Sequence, residues 1–154
     1  MSQTNELEIM ERIALDLEGV EESLASSFNT GAEDFNALIR PLSAAGGKRL
    51  RAQLCLLIAN AGTSVERQRI RIAEAVEMLH LATLIHDDVL DQAEIRRGVE
   101  TIHMHKGNKV AILSGDYLFA KAFQIVSEMP NLKYLQIFSH IITCLVEGEF
   151  MQME

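Results

Sequence analysis

Apolar residues recur at steps of three and four along most of the chain. Leu7, Met10, Ala14, Leu17, Leu24 and Phe28 follow this period and predict an amphipathic helix over 5–28. NTGAED breaks it, a short helix is predicted over 33–40, and Pro41 with SAAGGKRL marks a connection. A third helix over 48–61 stops at Gly62. Thr63 with Glu66 three residues on is a capping-box pattern, opening a helix over 64–91 in a stretch without Pro or Gly before Gly98. That helix would be about 40 Å long at ~1.5 Å per residue. Further helices are predicted over 108–128 and 131–153, divided by Pro130. Sustained alternation and Asn-Gly or Asp-Gly turns are missing from the sequence, so strands are not expected. The pattern predicts an all-α helical bundle in one domain, without repeats.

Composition narrows the function. The 154 residues are 48% hydrophobic, enough to bury a core. Lys plus Arg number 14 against 22 Asp plus Glu, a net charge of -8 that argues against nucleic acid as a partner. The acidic, amphipathic start lacks the basic and apolar segments of a signal peptide, and no uninterrupted apolar run nears the roughly 18 residues of a membrane span. A cytoplasmic protein with no transmembrane segment is expected. Cys55 and Cys144, in LCLLIA and IITCLV, read as buried free thiols. Met10, Met78, Met129, Met151 and Met153 read as flexible packing. His103 and His105 read as solvated loop residues, and His140 as a helix residue at the core edge.

Residues 84–98, LIHDDVLDQAEIRRG, place acids at the end of a helix that is apolar on nearly every side. At about 100° per residue, His80, Asp87 and Asp91 fall near one stripe, with Thr83 or Leu84 between them. Carboxylates one turn apart repel, and at a helix C-terminus each is disfavoured by roughly 0.3–1 kcal/mol. A cation should therefore sit there. Hard oxygen donors suit Mg2+ or Mn2+, and Mg2+ completes its shell with water and phosphate oxygens, which implies a phosphorylated ligand. Taken alone, the acids could equally be a solvated loop cap. Arg96 and Arg97 follow at once, however, and GGKRLR puts Lys48, Arg49 and Arg51 after a flexible Gly-Gly, at a helix start whose free amides favour anions. Each basic cluster alone reads as surface charge. Together with the acids they make an anion site with a metal arm and a guanidinium arm.

The segments GGKRLR, LHLATLIHDDVLDQAEIRRG, SGDYLFAKAF and GEFMQ resemble, in order and spacing, the trans-polyprenyl diphosphate synthases of the long-chain, octaprenyl and heptaprenyl kind. These enzymes lengthen an allylic diphosphate with isopentenyl diphosphate. The resemblance runs from Gly46 to Gln152 and implies a bundle of the isoprenoid synthase type. It implies that Asp87 and Asp91, with Asp88, are the catalytic metal ligands whose Mg2+ holds an allylic diphosphate such as farnesyl diphosphate, and that Arg96 contacts the same group. It implies that Lys48, Arg51, His80 and Arg97 bind isopentenyl diphosphate. The implied chemistry is departure of pyrophosphate to leave an allylic cation, attack by the isopentenyl double bond, and proton loss to the departing pyrophosphate. Ala82 and Thr83 stand where aromatic residues close the product tunnel of short-chain relatives, which implies a long product of the kind used as quinone side chains. A homodimer or a dimer of unlike chains is also implied.

Ala52 stands where such enzymes usually have proline. They carry a second aspartate-rich motif in a C-terminal half, with a lysine and a glutamine for the allylic diphosphate. The 154 residues therefore read as the N-terminal part of one synthase domain, weak or inactive alone. Two other readings stay open. His80, the HDD of 86–88 and Asp91 suit a histidine-aspartate metal phosphohydrolase, which leaves Lys48, Arg51, Arg96 and Arg97 unexplained. A non-catalytic subunit of a two-chain synthase is the other, although a scaffold gains little from uncompensated core charge.

Overall fold

A computed structural model describes residues 3–29, 33–44, 47–62 and 65–152, with side chains from residue 7. The elements are α1 (Gln3–Ser27), α2 (Glu33–Ala44), α3 (Leu50–Asn60), α4 (Glu66–Leu90), β1 (Ile95–Arg96), β2 (Val99–Glu100), α5 (Ile102–Lys106), α6 (Asn108–Ser127) and α7 (Leu132–Gln152). The bundle is built around α4, which packs chiefly on α6 and also on α3 and α1. Ala73, Ala75, Met78 and Ala82 of α4, and Leu118 and Ala122 of α6, are fully buried. Small residues bring the two axes together. At Gly115 of α6 a Cβ would collide with the His86 imidazole of α4, so only glycine admits that ring. By length and composition α6 is also the one helix, among the described residues, apolar enough to cross a membrane, a test that buried bundle helices pass as well.

The amphipathic face of α1 is the predicted one only in its second half, where Leu24 and Phe28 are buried and Leu17 packs against the core. Leu7, Met10 and Ala14 are exposed, and the buried line is Ile13, Asp16, Val20, Leu24 and Phe28. A polar residue in that line hides its period. Asp16 is 3% exposed and accepts hydrogen bonds from Arg69 (2.9 and 3.1 Å) and Asn60 (3.0 Å). Glu74, fully buried, accepts from Ser23, Ser27 and Arg71, each at 2.6 Å. Both carboxylates tie α1 to α4 with their lone pairs occupied, the condition under which buried charge is tolerated.

Other sequence expectations need correction. Pro41 lies inside α2, on its exposed face, where solvent can serve the carbonyl that loses its donor, and the helix runs on to place Leu42 against the core and bury Ser43. Thr63 of the expected capping box lies outside the described residues, and Val65 stands at the N-cap of α4 without a side-chain cap bond. A two-stranded antiparallel hairpin is present, pairing Ile95 with Glu100 and Arg96 with Val99. Its turn residues Arg97 and Gly98 have φ of 53° and 81°, the double positive φ that a two-residue type I′ turn needs. Arg-Gly is not among the usual signals for that turn. His103 and His105 belong to α5, with His103 Nδ1 3.0 Å from the Thr101 hydroxyl. Cys55 is only half-buried, and Cys144 is exposed because little of α7 beyond Phe138 is buried. His140, Met10 and Met151 are likewise exposed, whereas Met78 is core; Met153 lies outside the described residues.

Candidate metal and diphosphate site

The acids occupy the last turn of α4 and its cap. Asp91 donates its N–H to the Asp87 carbonyl at 2.8 Å, which ends the helix and holds the two residues one turn apart. Asp88 turns inward, 4% exposed, and accepts from Arg96 Nε at 2.7 Å. Asp87 borders a cavity of about 430 Å3 whose walls are mainly apolar: Leu90 and Thr83 of α4, Phe119 of α6, and Ile142, Leu145, Val146 and Phe150 of α7. Glu149 lines it too. Burial raises the Asp87 carboxyl above its ordinary range, and the charges of Glu149 and then Asp91 push it further, against the pull of Arg96.

Among the described residues, no three His, Cys, Asp or Glu side chains are arranged to hold a metal ion. With Asp88 committed to Arg96, Asp87 and Asp91 are the remaining carboxylates of the motif. Two hard carboxylates carrying surplus negative charge fit Mg2+, which takes few protein ligands and leaves the others to water and phosphate.

A second cavity, of about 110 Å3, lies where the start of α3 meets α4 and the hairpin. Gly47, Lys48, Arg51, His80 and Arg97 line it, above Glu77. Arg51 Nη1 is 3.2 Å from His80 Nε2. Arginine can only donate, so that imidazole nitrogen accepts and the ring is neutral. Burial lowers the His80 pKa below the ordinary value of 6.5, and Arg51, Arg97 and Arg96 lower it further against Glu77.

Arg49 also lines this cavity, but its guanidinium is engaged by protein groups. With φ of 49° it folds back to Glu21 (2.6 Å), the Ser43 carbonyl (2.9 Å) and Glu77 (3.6 Å). Nor are all the α3 amides open to an anion, because the Ala52 N–H donates to Glu77 Oε1 at 2.9 Å.

The structure thus separates residues that the single stripe had joined. His80 faces the basic cavity and Asp87 the apolar one. Of the two residues that the resemblance tied to product length, Thr83 lines the apolar cavity, while Ala82 is fully buried in the core and does not. Glu77 and Glu149 were given no role by sequence. Glu77 lies on α4 among apolar residues, and Glu149 reaches the acids only because α7 folds back over α6; local periodicity signals neither.

An apolar cavity bordered by Asp87 and Glu149 and a basic cavity share one central helix. Residues 32–154 match the family described as polyprenyl synthetase, and the chain belongs to that family. It is 34% identical over 145 residues to octaprenyl diphosphate synthase of Escherichia coli (strain K12), covering 94% of this chain and 45% of that protein. Against solanesyl diphosphate synthase 1, chloroplastic, of Arabidopsis thaliana it is 35% identical, covering 94% and 37%. The polyprenyl synthase of Caulobacter crescentus CB15, crystallised with calcium and isoprenyl diphosphate, superposes with a TM-score of 0.87 at 35% identity over 93% of this chain and 45% of that one. A decaprenyl diphosphate synthase from Rhodobacter capsulatus gives 0.85 at 32% identity, covering 95% and 45%. The chain spans about half the length of the curated relatives it matches.

Proposed function

We propose that the chain carries the substrate-binding face of a trans-prenyltransferase that extends an allylic diphosphate with isopentenyl diphosphate to a long-chain polyprenyl diphosphate of the quinone side-chain class. The observation that supports it best is the pair of cavities on α4, one basic and one apolar with acids at its mouth. Lys48, Arg51 and Arg97 bind the isopentenyl diphosphate, and His80 gains proton affinity as that anion arrives. Asp87 and Asp91 would hold Mg2+, which would supply positive charge to a bound allylic diphosphate. Arg96, oriented by Asp88, points its remaining N–H donors at the same group. Leu90, Phe119 and Ile142 keep water from the developing allylic cation, and Thr83 leaves room for a growing chain.

Titration of the purified chain with isopentenyl diphosphate tests this reading, with Arg51→Ala as control. Binding that weakens at least tenfold in the variant is expected, since a charge-assisted hydrogen bond contributes about 1.5–3 kcal/mol. A chain that ignores isopentenyl diphosphate but releases phosphate from simple esters would be a phosphohydrolase instead. Elongation of farnesyl diphosphate by these 154 residues alone should be weak, because longer relatives supply the rest of the site; robust turnover refutes that expectation.

A further inference from the structure

Sequence alone gives Gly47 the role of a flexible hinge. The structure gives it another. A Cβ built on Gly47 would lie 3.0 Å from Arg97 Nη2, 3.2 Å from Nη1 and 3.3 Å from Cζ. The guanidinium therefore lies against the bare Cα, closer than most Cβ contacts allow. Arg97 itself is sent there by its turn, being a non-glycine residue at φ 53°, a backbone region that arginine enters at some cost. Both residues line the cavity that holds Lys48, Arg51 and His80.

We infer that Gly47 is a positioning residue: its Cα is the seat that fixes the Arg97 guanidinium where it meets a diphosphate in the basic cavity. The identity of that ligand rests on the proposed function; the seat does not. A methyl group at 47 meets only the far end of a flexible side chain, so it displaces the charge by about a few tenths of an ångström and leaves the fold intact.

The test is a double-variant cycle on the full 154-residue chain, using Gly47→Ala and Arg97→Asn, because asparagine tolerates the left-handed backbone. Titration with isopentenyl diphosphate should show Gly47→Ala binding about three- to tenfold more weakly, part of one charge-assisted hydrogen bond, at unchanged melting temperature. In the Arg97→Asn background the same change should have no further effect. Equal weakening in both backgrounds overturns the seat, since Gly47 would then act on Lys48 or Arg51 through the main chain. A second readout needs no ligand: the Arg97 Nε–H signal in 15N NMR shifts in Gly47→Ala if the seat is real and stays in place if it is not. Wild-type chain that fails to bind isopentenyl diphosphate would defeat the proposed function, while the NMR comparison would still decide the seat.

Discussion

One methyl group added at Gly115 would land inside the imidazole of His86. The ring cannot step aside freely: its Nε2 is 3.1 Å from the Ile112 carbonyl, and it lies over Phe119 with centroids 5.4 Å apart. Forcing a side chain into such packing costs about 1–3 kcal/mol, and loss of the carbonyl hydrogen bond adds about 1 kcal/mol. Against this, alanine favours a helix interior over glycine by about 0.8–1 kcal/mol. The net effect of Gly115→Ala is a destabilisation of about 1–3 kcal/mol, read as a melting temperature lower by roughly 2–12 °C for a chain of this size. In a His86→Ala background the obstacle is gone and only the helix preference remains, so the same substitution should stabilise by about 0.5–1 kcal/mol. Thermal unfolding followed by far-ultraviolet circular dichroism on the four proteins decides it. The reversal of sign is the critical result. Equal destabilisation in both backgrounds would mean that Gly115 is needed for some reason other than the His86 ring.

Asp87→Asn should raise the stability of the metal-free chain by roughly 0.3–1 kcal/mol, the scale of one unfavourable helix-terminal charge, and should abolish any rise in melting temperature on adding Mg2+. Because the folded Asp87 pKa lies above the ordinary 3.8, the advantage of Asn is present above that raised value and is lost as pH falls through it; an advantage that persists at lower pH contradicts the assignment. His80 titrates in the opposite sense. Its folded pKa is below 6.5, so its contribution to stability is present above 6.5 and lost as pH falls through the folded value, and His80→Gln should flatten that limb of a melting curve measured against pH. Ala82→Phe, in a fully buried position, should cost about 1–3 kcal/mol, whereas Thr83→Phe, facing the cavity, should change stability by no more than about 0.5 kcal/mol. Equal losses at both positions would refute the placement of Thr83.

Long helices were legible wherever burial leaves one apolar stripe or none at all. α4, α6 and α7 lie within a few residues of their predicted bounds because Gly and Pro punctuate them. The candidate site stood out where like charges crowd together, as in HDDVLD, RRG and GGKRLR. What escaped depends on tertiary context. Asp16 looks like a surface residue until Arg69 and Asn60 are brought to it. The hairpin turn is carried by Arg97, whose left-handed backbone no local preference predicts. Pro41 punctuates a chain, yet here the helix passes through it since the affected face is in water. Within GGKRLR, charge alone cannot tell the inward Arg49 from the outward Lys48 and Arg51; Glu21 and Glu77 make that choice.

The polar ties of α1 bear on how many ways the bundle can assemble. An apolar stripe of Ile13, Val20, Leu24 and Phe28 would slide along α4 by a turn at modest cost, since one aliphatic side chain substitutes for another. Such a shift would set Arg12 or Val20 against Arg69 in place of Asp16. A buried guanidinium would then face a like charge or none, a loss of several kcal/mol. Ser23 and Ser27 sit one turn apart, and the same slip would strip one of them from Glu74. Fixing the axial register of α1 in this way leaves the folding chain a single docked alignment, and with it a single position for Glu21, the carboxylate that engages the Arg49 guanidinium.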